Sequence, residues 1–168
     1  MNKLEVITIR NANMNDWGAA NLIHKSAYPD DFYTYANNIR ASGTINLVAV
    51  IENKVVGYIT TLVNPPTPDG KAMWMRMRPY IGYVGVLPDY RGLGIAKELV
   101  REGSRRALQY TGEGYIYLEA EEENETAQRL YERLGFEAVP PEILRELFNA
   151  AGHPNTRVYR AGRSVFGI

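Results

Sequence analysis

Cysteine is absent from the chain, which removes disulfides and thiolate metal sites from consideration and suits a reducing compartment. Histidine is almost absent: His24 and His153 are the whole supply, far apart and without metal-ligand spacing. Each reads as a surface or packing residue rather than a catalyst, with His153 a candidate for a substrate contact. No apolar stretch approaches the roughly 20 residues of a bilayer-spanning helix. The first residues, Met1-Asn2-Lys3-Leu4-Glu5-Val6-Ile7, lack the apolar run of a signal peptide. Charge of one sign is not in excess either, since 19 basic side chains face 19 acidic ones. No global field therefore favours nucleic acid or a membrane surface. Repeats and low-complexity tracts are missing. These absences point to a soluble, cytoplasmic protein working without metal, nucleic acid or membrane.

What is present is ordinary globular material: 168 residues, 45% hydrophobic and 23% charged, enough for one domain over residues 1–168 with a single core. Residues 4–10 alternate apolar and polar side chains and read as a first strand. Asn15 or Asp16 can cap a helix running to about His24. A second helix is expected over about 31–41, ending near Gly43. Residues 45–51 and 55–63 form a hairpin through Glu52-Asn53-Lys54. Residues 64–79, rich in Pro and Met around Trp74, form a long loop of the kind that usually carries function. A strand at 80–87, a helix at 92–110, a strand at 115–121 and a helix at 125–134 follow. A short strand near 136–139, a helix at 142–150 and a strand at 156–161 complete the order β-α-α-β-β-β-α-β-α-β-α-β. Strands interleaved with helices imply an α/β (α+β) fold, a mixed sheet covered on both faces.

The sharpest local pattern is Pro88-Asp89-Tyr90 followed by Arg91-Gly92-Leu93-Gly94-Ile95-Ala96, opening a helix directly after a strand. The first amides of a helix lack internal partners and, with the helix dipole, attract an anion. Glycines admit a phosphate close to the backbone, and Arg91 adds a charged fork. Lys97, Arg101, Arg105 and Arg106 make the same helix basic. The spacing is neither a P-loop nor a dinucleotide fingerprint. A tight turn that merely packs helix on sheet is the plainer alternative.

This run resembles the R/Q-x-x-G-x-G/A signature of the GCN5-related N-acetyltransferase (GNAT) family, and Tyr83-Val84-Gly85-Val86-Leu87-Pro88 resembles the strand before it. A second stretch, Asn124-Glu-Thr-Ala-Gln-Arg-Leu-Tyr131-Glu-Arg-Leu-Gly-Phe136, is similar to the family's second motif, in the right order. By itself that stretch is an amphipathic helix capped by Asn124, with Ala127, Leu130, Tyr131 and Leu134 on one face. The resemblance implies a GNAT fold, a sheet of about six to seven strands, and acetyl-CoA as donor, with CoA as product. It implies that Val84, Gly85 and Val86 pair with the pantetheine arm as an added strand would. Residues Arg91, Gly92, Leu93, Gly94, Ile95, Ala96 and Lys97 would hold the pyrophosphate, and Asn124 and Tyr131 would contact the cofactor. Tyr131 would be the general acid toward the leaving thiolate, and an amide at or near Val84 would meet the developing oxyanion.

The implied reaction is direct acetyl transfer to a primary amine. An aliphatic amine of pKa near 10 costs about 4 kcal/mol to deprotonate at neutral pH. Many relatives of this type place a glutamate on the fourth strand as base, but here that strand reads Tyr80-Ile81-Gly82-Tyr83. Glu119 or Glu121, on one face of the fifth strand with Tyr115 and Tyr117, are candidate bases acting through water; a solvated acidic strand end is the simpler reading. The aromatic and acidic segment Tyr28–Tyr35, with Asp30, Asp31, Phe32 and Tyr33, is a candidate wall for a cationic acceptor. The Met/Trp loop at 72–77 is its candidate counterpart. The acceptor, small-molecule or peptide, stays open. A catalytically silent acyl-CoA sensor is the alternative function, and a homodimer is possible.

Overall fold

The computed structural model describes residues 6–30, 43–63, 78–148 and 155–168. In chain order it places β1 (Thr8–Asn11), α1 (Trp17–Ala27), β2 (Thr44–Ile51), β3 (Lys54–Leu62), β4 (Tyr80–Val86) and α2 (Ile95–Thr111). Then come β5 (Tyr115–Glu121), α3 (Glu125–Arg133), β6 (Glu137–Ala138), α4 (Pro141–Phe148) and β7 (Thr156–Gly162). The helix expected at 31–41, most of the loop at 64–79, and His153 lie outside the described residues. The strands form one seven-stranded sheet in the order β1-β2-β3-β4-β5-β7-β6. It is mixed, as expected: β4 and β5 run parallel through the α2 crossover, and every other neighbouring pair is antiparallel.

Several boundaries differ from expectation for identifiable reasons. The N-cap of α1 is Asp16, one of the two residues expected, and the 3-10 turn before it is capped by Asn13. The Asn13 side chain accepts from the Asn15 amide at 2.8 Å, while the Asp16 carboxylate accepts from the Asn13 amide at 2.8 Å, closing a capping box. Asp16 also receives both guanidinium nitrogens of Arg10, at 2.7 and 2.8 Å, and that pairing holds its carboxyl below the usual range. A short 3-10 turn at Met14–Asp16 precedes α1, which runs past His24 to Ala27. The β2–β3 turn needs only Glu52 and Asn53, at φ +46° and +67°, so Lys54 already belongs to β3. The glycines of the Arg91–Ala96 run sit before α2 rather than inside it, and Gly94 at φ +80° is its N-cap.

Side-chain alternation sends β2 to two cores. Leu47 and Ala49 join Leu99, Val100 and Leu108 of α2 on one face. Val48 joins Ala20 and Ile23 of α1, with Tyr58 of β3, on the other. Burying each large side chain of this kind contributes about 1.5–3 kcal/mol before entropy is counted. At Gly85 the α1 layer lies so close that a Cβ would stand 2.8 Å from Tyr58 Cε1 and 3.0 Å from Ile23 Cγ2. On β5, Ile116, Leu118 and Ala120 face the α2 core, whereas Tyr117 packs with Val139, Leu144 and Val158 beside Tyr80. The alternation of Tyr117 and Glu119 against Ile116, Leu118 and Ala120 therefore stands.

Candidate functional site

The site begins where the sheet comes apart. β4 and β5 share only the pairs Tyr80↔Tyr117 and Ile81↔Leu118, and beyond Ile81 the strands diverge. The Leu87 amide bonds Val56 O across to β3 at 2.9 Å. Peptide groups alternate along a strand, so Tyr83 and Gly85 also serve β3, while Val84 and Val86 turn their amides and carbonyls into the gap. Two side chains approach from that side: Tyr28 Oη donates to Val84 O at 3.0 Å, and Arg91 Nε donates to Val86 O at 3.2 Å. Gly82 is the extra residue of a bulge opposite Thr60 and Thr61, and a bulge bends its strand just where β4 leaves β5.

A cavity of about 1010 Å³ fills the fork. One side is the Val84–Val86 edge; the other is α3, through Asn124, Ala127, Leu130 and Tyr131. Its outer end is the turn before α2, with Arg91, Gly92, Gly94, Ile95, Ala96 and Lys97 in the wall. Gly92 and Gly94 both sit at φ +80°, with open space within 4 Å of where a Cβ would stand. Glycine holds that backbone without strain and leaves the amides of the first turn uncovered. Arg91, Lys97, Arg129 and Arg133 supply positive charge around the cavity. The donor set, an uncovered helix start, a row of strand amides and surrounding cations, fits an elongated anionic ligand with an amide-bearing arm.

Tyr131 is buried at the inner end of the cavity. Burial, and next the nearby Tyr28, push its hydroxyl well above the ordinary phenol range, which keeps the proton on oxygen and makes the group a hydrogen-bond donor. Asn124 lines the cavity and also caps α3, accepting from the Ala127 amide at 3.1 Å, so the structural and the site reading of this residue coexist. The two glutamates of β5 differ. Glu121 is exposed, whereas Glu119 is half-buried with Oε1 out of solvent. Tyr80 lies beside Glu119: burial first, then the Glu119 charge, raise its hydroxyl, and Tyr131 and Tyr83 act in the same direction. Tyr28 and Tyr131 line the cavity, and Glu119, Tyr80 and Tyr83 lie near Tyr131 without forming part of the wall.

Some expectations fail. Leu93 is exposed, and among the described residues it does not line the cavity. The helix is basic, as read, but two of its cations are engaged elsewhere: Glu102 holds Arg105 at 2.8 Å and Arg106 at 2.6 Å, and Arg106 also reaches Asn11 Oδ1 at 2.6 Å. Only Lys97 of that set turns to the cavity, because one helix face cannot serve both places. His24 is a packing residue, in line with expectation: it is fully buried, with Nδ1 2.6 Å from the Tyr58 hydroxyl. Asp30 is exposed, and Asp31, Phe32, Tyr33, Tyr35 and the Met/Trp loop lie outside the described residues. Sequence reasoning missed Tyr80, Arg129 and Arg133. The one sequence signal they carry is their i, i+4 spacing, which puts the two arginines on one face of α3.

Comparison with known proteins agrees with this geometry. The model of the Acetyltransferase (GNAT) family matches residues 8–136. The chain belongs to the GNAT family. It is an N-acetyltransferase, and this explains both the forked sheet and the glycine turn. Among GNAT relatives, an N-alpha-acetyltransferase of Saccharolobus solfataricus is 32% identical over 137 residues, covering 79% of this chain and 81% of the relative. One of Sulfurisphaera tokodaii is 27% identical over 143 residues, covering 83% and 84%. Among solved GNAT structures, Arabidopsis thaliana NAA60 in complex with acetyl-CoA superposes with a TM-score of 0.72 at 21% identity, covering 95% of this chain and 99% of that one. The ribosomal-protein-S18-alanine N-acetyltransferase of Escherichia coli gives 0.68 at 22% identity, covering 94% of each. No helix among the described residues is long and apolar enough to cross a membrane.

Proposed function

We propose that the chain transfers the acetyl group of acetyl-CoA directly to the α-amino group at the N-terminus of a peptide or protein. The observation that carries the donor half is the fork, where Val84 and Val86 turn their peptide groups into a cavity that ends at the glycine turn. Arg91, Gly92, Gly94, Ile95, Ala96 and Lys97 hold the pyrophosphate, Val84, Gly85 and Val86 the pantetheine arm, and Asn124 the chain between. The bound donor supplies an activated thioester carbonyl. The Val84 amide meets the carbonyl oxygen as charge grows there, and Tyr131 Oη donates to the departing sulfur.

The acceptor half rests on proton arithmetic as well as on relatives named N-alpha-acetyltransferases. An α-amine has a pKa of roughly 7.7–8.0, against about 10.4 for a lysine side chain. Freeing an α-amine at neutral pH therefore costs about 1 kcal/mol rather than the 4 or more of lysine. A site without a glutamate on β4 suits that smaller demand. Glu119, rather than exposed Glu121, takes the proton through water, and the protonated Tyr80 beside it orients that water. Glu119→Gln is expected to lower kcat about 10²-fold at neutral pH, with Glu121→Gln near wild type; equal rates in all three proteins would dismiss a carboxylate base.

The decisive experiment titrates the purified protein with acetyl-CoA, CoA, ATP and NAD by calorimetry and repeats this with Arg91→Ala. CoA species alone should bind, more weakly in the variant. Thiol release is then compared for one peptide with a free N-terminus and its N-terminally blocked copy carrying a lysine. Release with the free N-terminus only is expected. Equal binding of all four ligands would overturn the donor assignment, and release only with the blocked peptide would overturn the acceptor assignment.

A further inference from the structure

The cavity has a second end, walled by a side chain that the proton-transfer scheme does not employ. The glycine turn lies beyond the C-terminal end of β4, and at the other end the cavity reaches Ala27 and Tyr28, where α1 finishes. Tyr28 is fixed there from several directions. Its hydroxyl is bonded to Val84 O at 3.0 Å. Its ring lies 5.1 Å from the His24 ring and meets the Tyr83 ring edge-on at 5.4 Å. His24 is itself fully buried and 2.6 Å from the Tyr58 hydroxyl on β3. Swinging the Tyr28 ring would break the Val84 bond and disturb an aromatic cluster that ties α1 to β3 and β4, in an interior too densely packed to yield freely. Tyr28 also raises the Tyr131 hydroxyl through its charge, so the two phenols stand close across the fork.

This arrangement has a consequence for the donor. With the thioester sulfur at Tyr131 and its carbonyl oxygen at the Val84 amide, the acyl tail is aimed toward Tyr28, whose hydroxyl is anchored on Val84 itself. We infer that Tyr28 sets the length of acyl group the enzyme accepts, leaving room for the methyl of an acetyl group and none for a propyl chain. The inference rests on the donor reading above and adds a specificity residue to it. A rigid wall discriminates against surplus methylenes by roughly tenfold or more each, because the pocket cannot open without losing its own contacts.

Calorimetry on the full chain with CoA, acetyl-CoA and butyryl-CoA tests this without any acceptor. Wild type should bind CoA and acetyl-CoA comparably and butyryl-CoA at least about tenfold more weakly. Tyr28→Ala should bring butyryl-CoA to within about twofold of acetyl-CoA, the two donors being compared within the variant itself. Tyr28→Phe keeps the ring and loses only the anchor, so the gap should narrow by about threefold. Equal binding of the two acyl donors by wild type would overturn the inference, as would an undiminished gap in the variants. Should Tyr28→Ala not fold, Tyr28→Phe decides: a narrowed gap supports the inference and an unchanged one overturns it. Absence of binding by CoA, which carries no acyl group, would instead sink the donor reading on which the inference stands.

Discussion

Gly94 and Gly112 stand at opposite ends of α2 and make a matched pair. Their φ angles are +80° and +72°, and neither has any atom within 4 Å of where a Cβ would stand. Alanine at either site therefore meets no clash and incurs only the left-handed backbone strain, about 1 kcal/mol. For a chain of this size that corresponds to a fall in Tm of roughly 2–4 °C, and the two variants should melt alike. They should part on ligand binding. Gly94 lines the cavity and its Cβ would intrude where a phosphate meets the first turn, whereas Gly112 lies at the far end of a 17-residue helix. Gly94→Ala should weaken CoA at least about tenfold, or 1.4 kcal/mol, and Gly112→Ala should leave it unchanged. Calorimetry beside thermal melts reads both quantities on one preparation. Equal CoA affinity in the two variants would refute the reasoning, because it would mean that Gly94 is glycine for the sake of the helix cap alone.

Tyr131→Phe keeps the ring in its buried seat and removes only the hydroxyl. It should cost about 10² in kcat with KM for acetyl-CoA within about twofold, and a large KM change with kcat intact would move Tyr131 from chemistry to binding. Gly85→Ala has no φ problem but meets Tyr58 at 2.8 Å, so it should lose about 1–3 kcal/mol; a urea melt superposing on wild type would show that the α1 layer yields. Glu102 is held down to about 2 from an ordinary 4.5, first by Arg105 and then by Arg106, against desolvation that pushes it up. A depressed carboxyl stabilises the fold above pH 4.5 and loses that contribution as pH falls toward 2. With solvent screening the contribution is about 1 kcal/mol at most. The stability gap between wild type and Glu102→Gln should be largest near neutrality and close in acid, and a gap independent of pH would contradict it.

What could be read in advance follows the range of the interactions. The glycine turn, the face of α3 and the alternation of β5 are local periodicities, and they came out as read. That Glu119 is half-buried beside Tyr80, on the neighbouring strand, while Glu121 is exposed is something to which period-two patterning is blind. The parting of β4 from β5 after Ile81 is a matter of pairing between segments separated by a whole helix, with only the Gly82 bulge as a local trace. The Tyr28–Val84 bond spans 56 positions. The basic residues of α2 were legible as charge but not as geometry: Glu102 already occupies two of them, and the cations that do face the cavity, Arg129 and Arg133, stand on another helix. Around the α1 cap Asn and Asp residues crowd one turn, and only the contact with Arg10, six positions away, singles out Asp16.

A sheet that opens in its middle is held across the opening by little of its own backbone. Among the described residues, the four strands β1 to β4 and the three strands β5, β7 and β6 are joined by just two residue pairs, with α2 bridging over one face. A pantetheine arm laid along Val84 and Val86 would therefore act as mortar between two walls as well as cargo. By linkage, donor at a hundred times its Kd adds about 2.7 kcal/mol to the folded state, and the protection is concentrated on the amides that bracket the gap. Each turnover would then end by unsealing that seam, and departure of spent CoA would coincide with the moment at which the molecule is least held together.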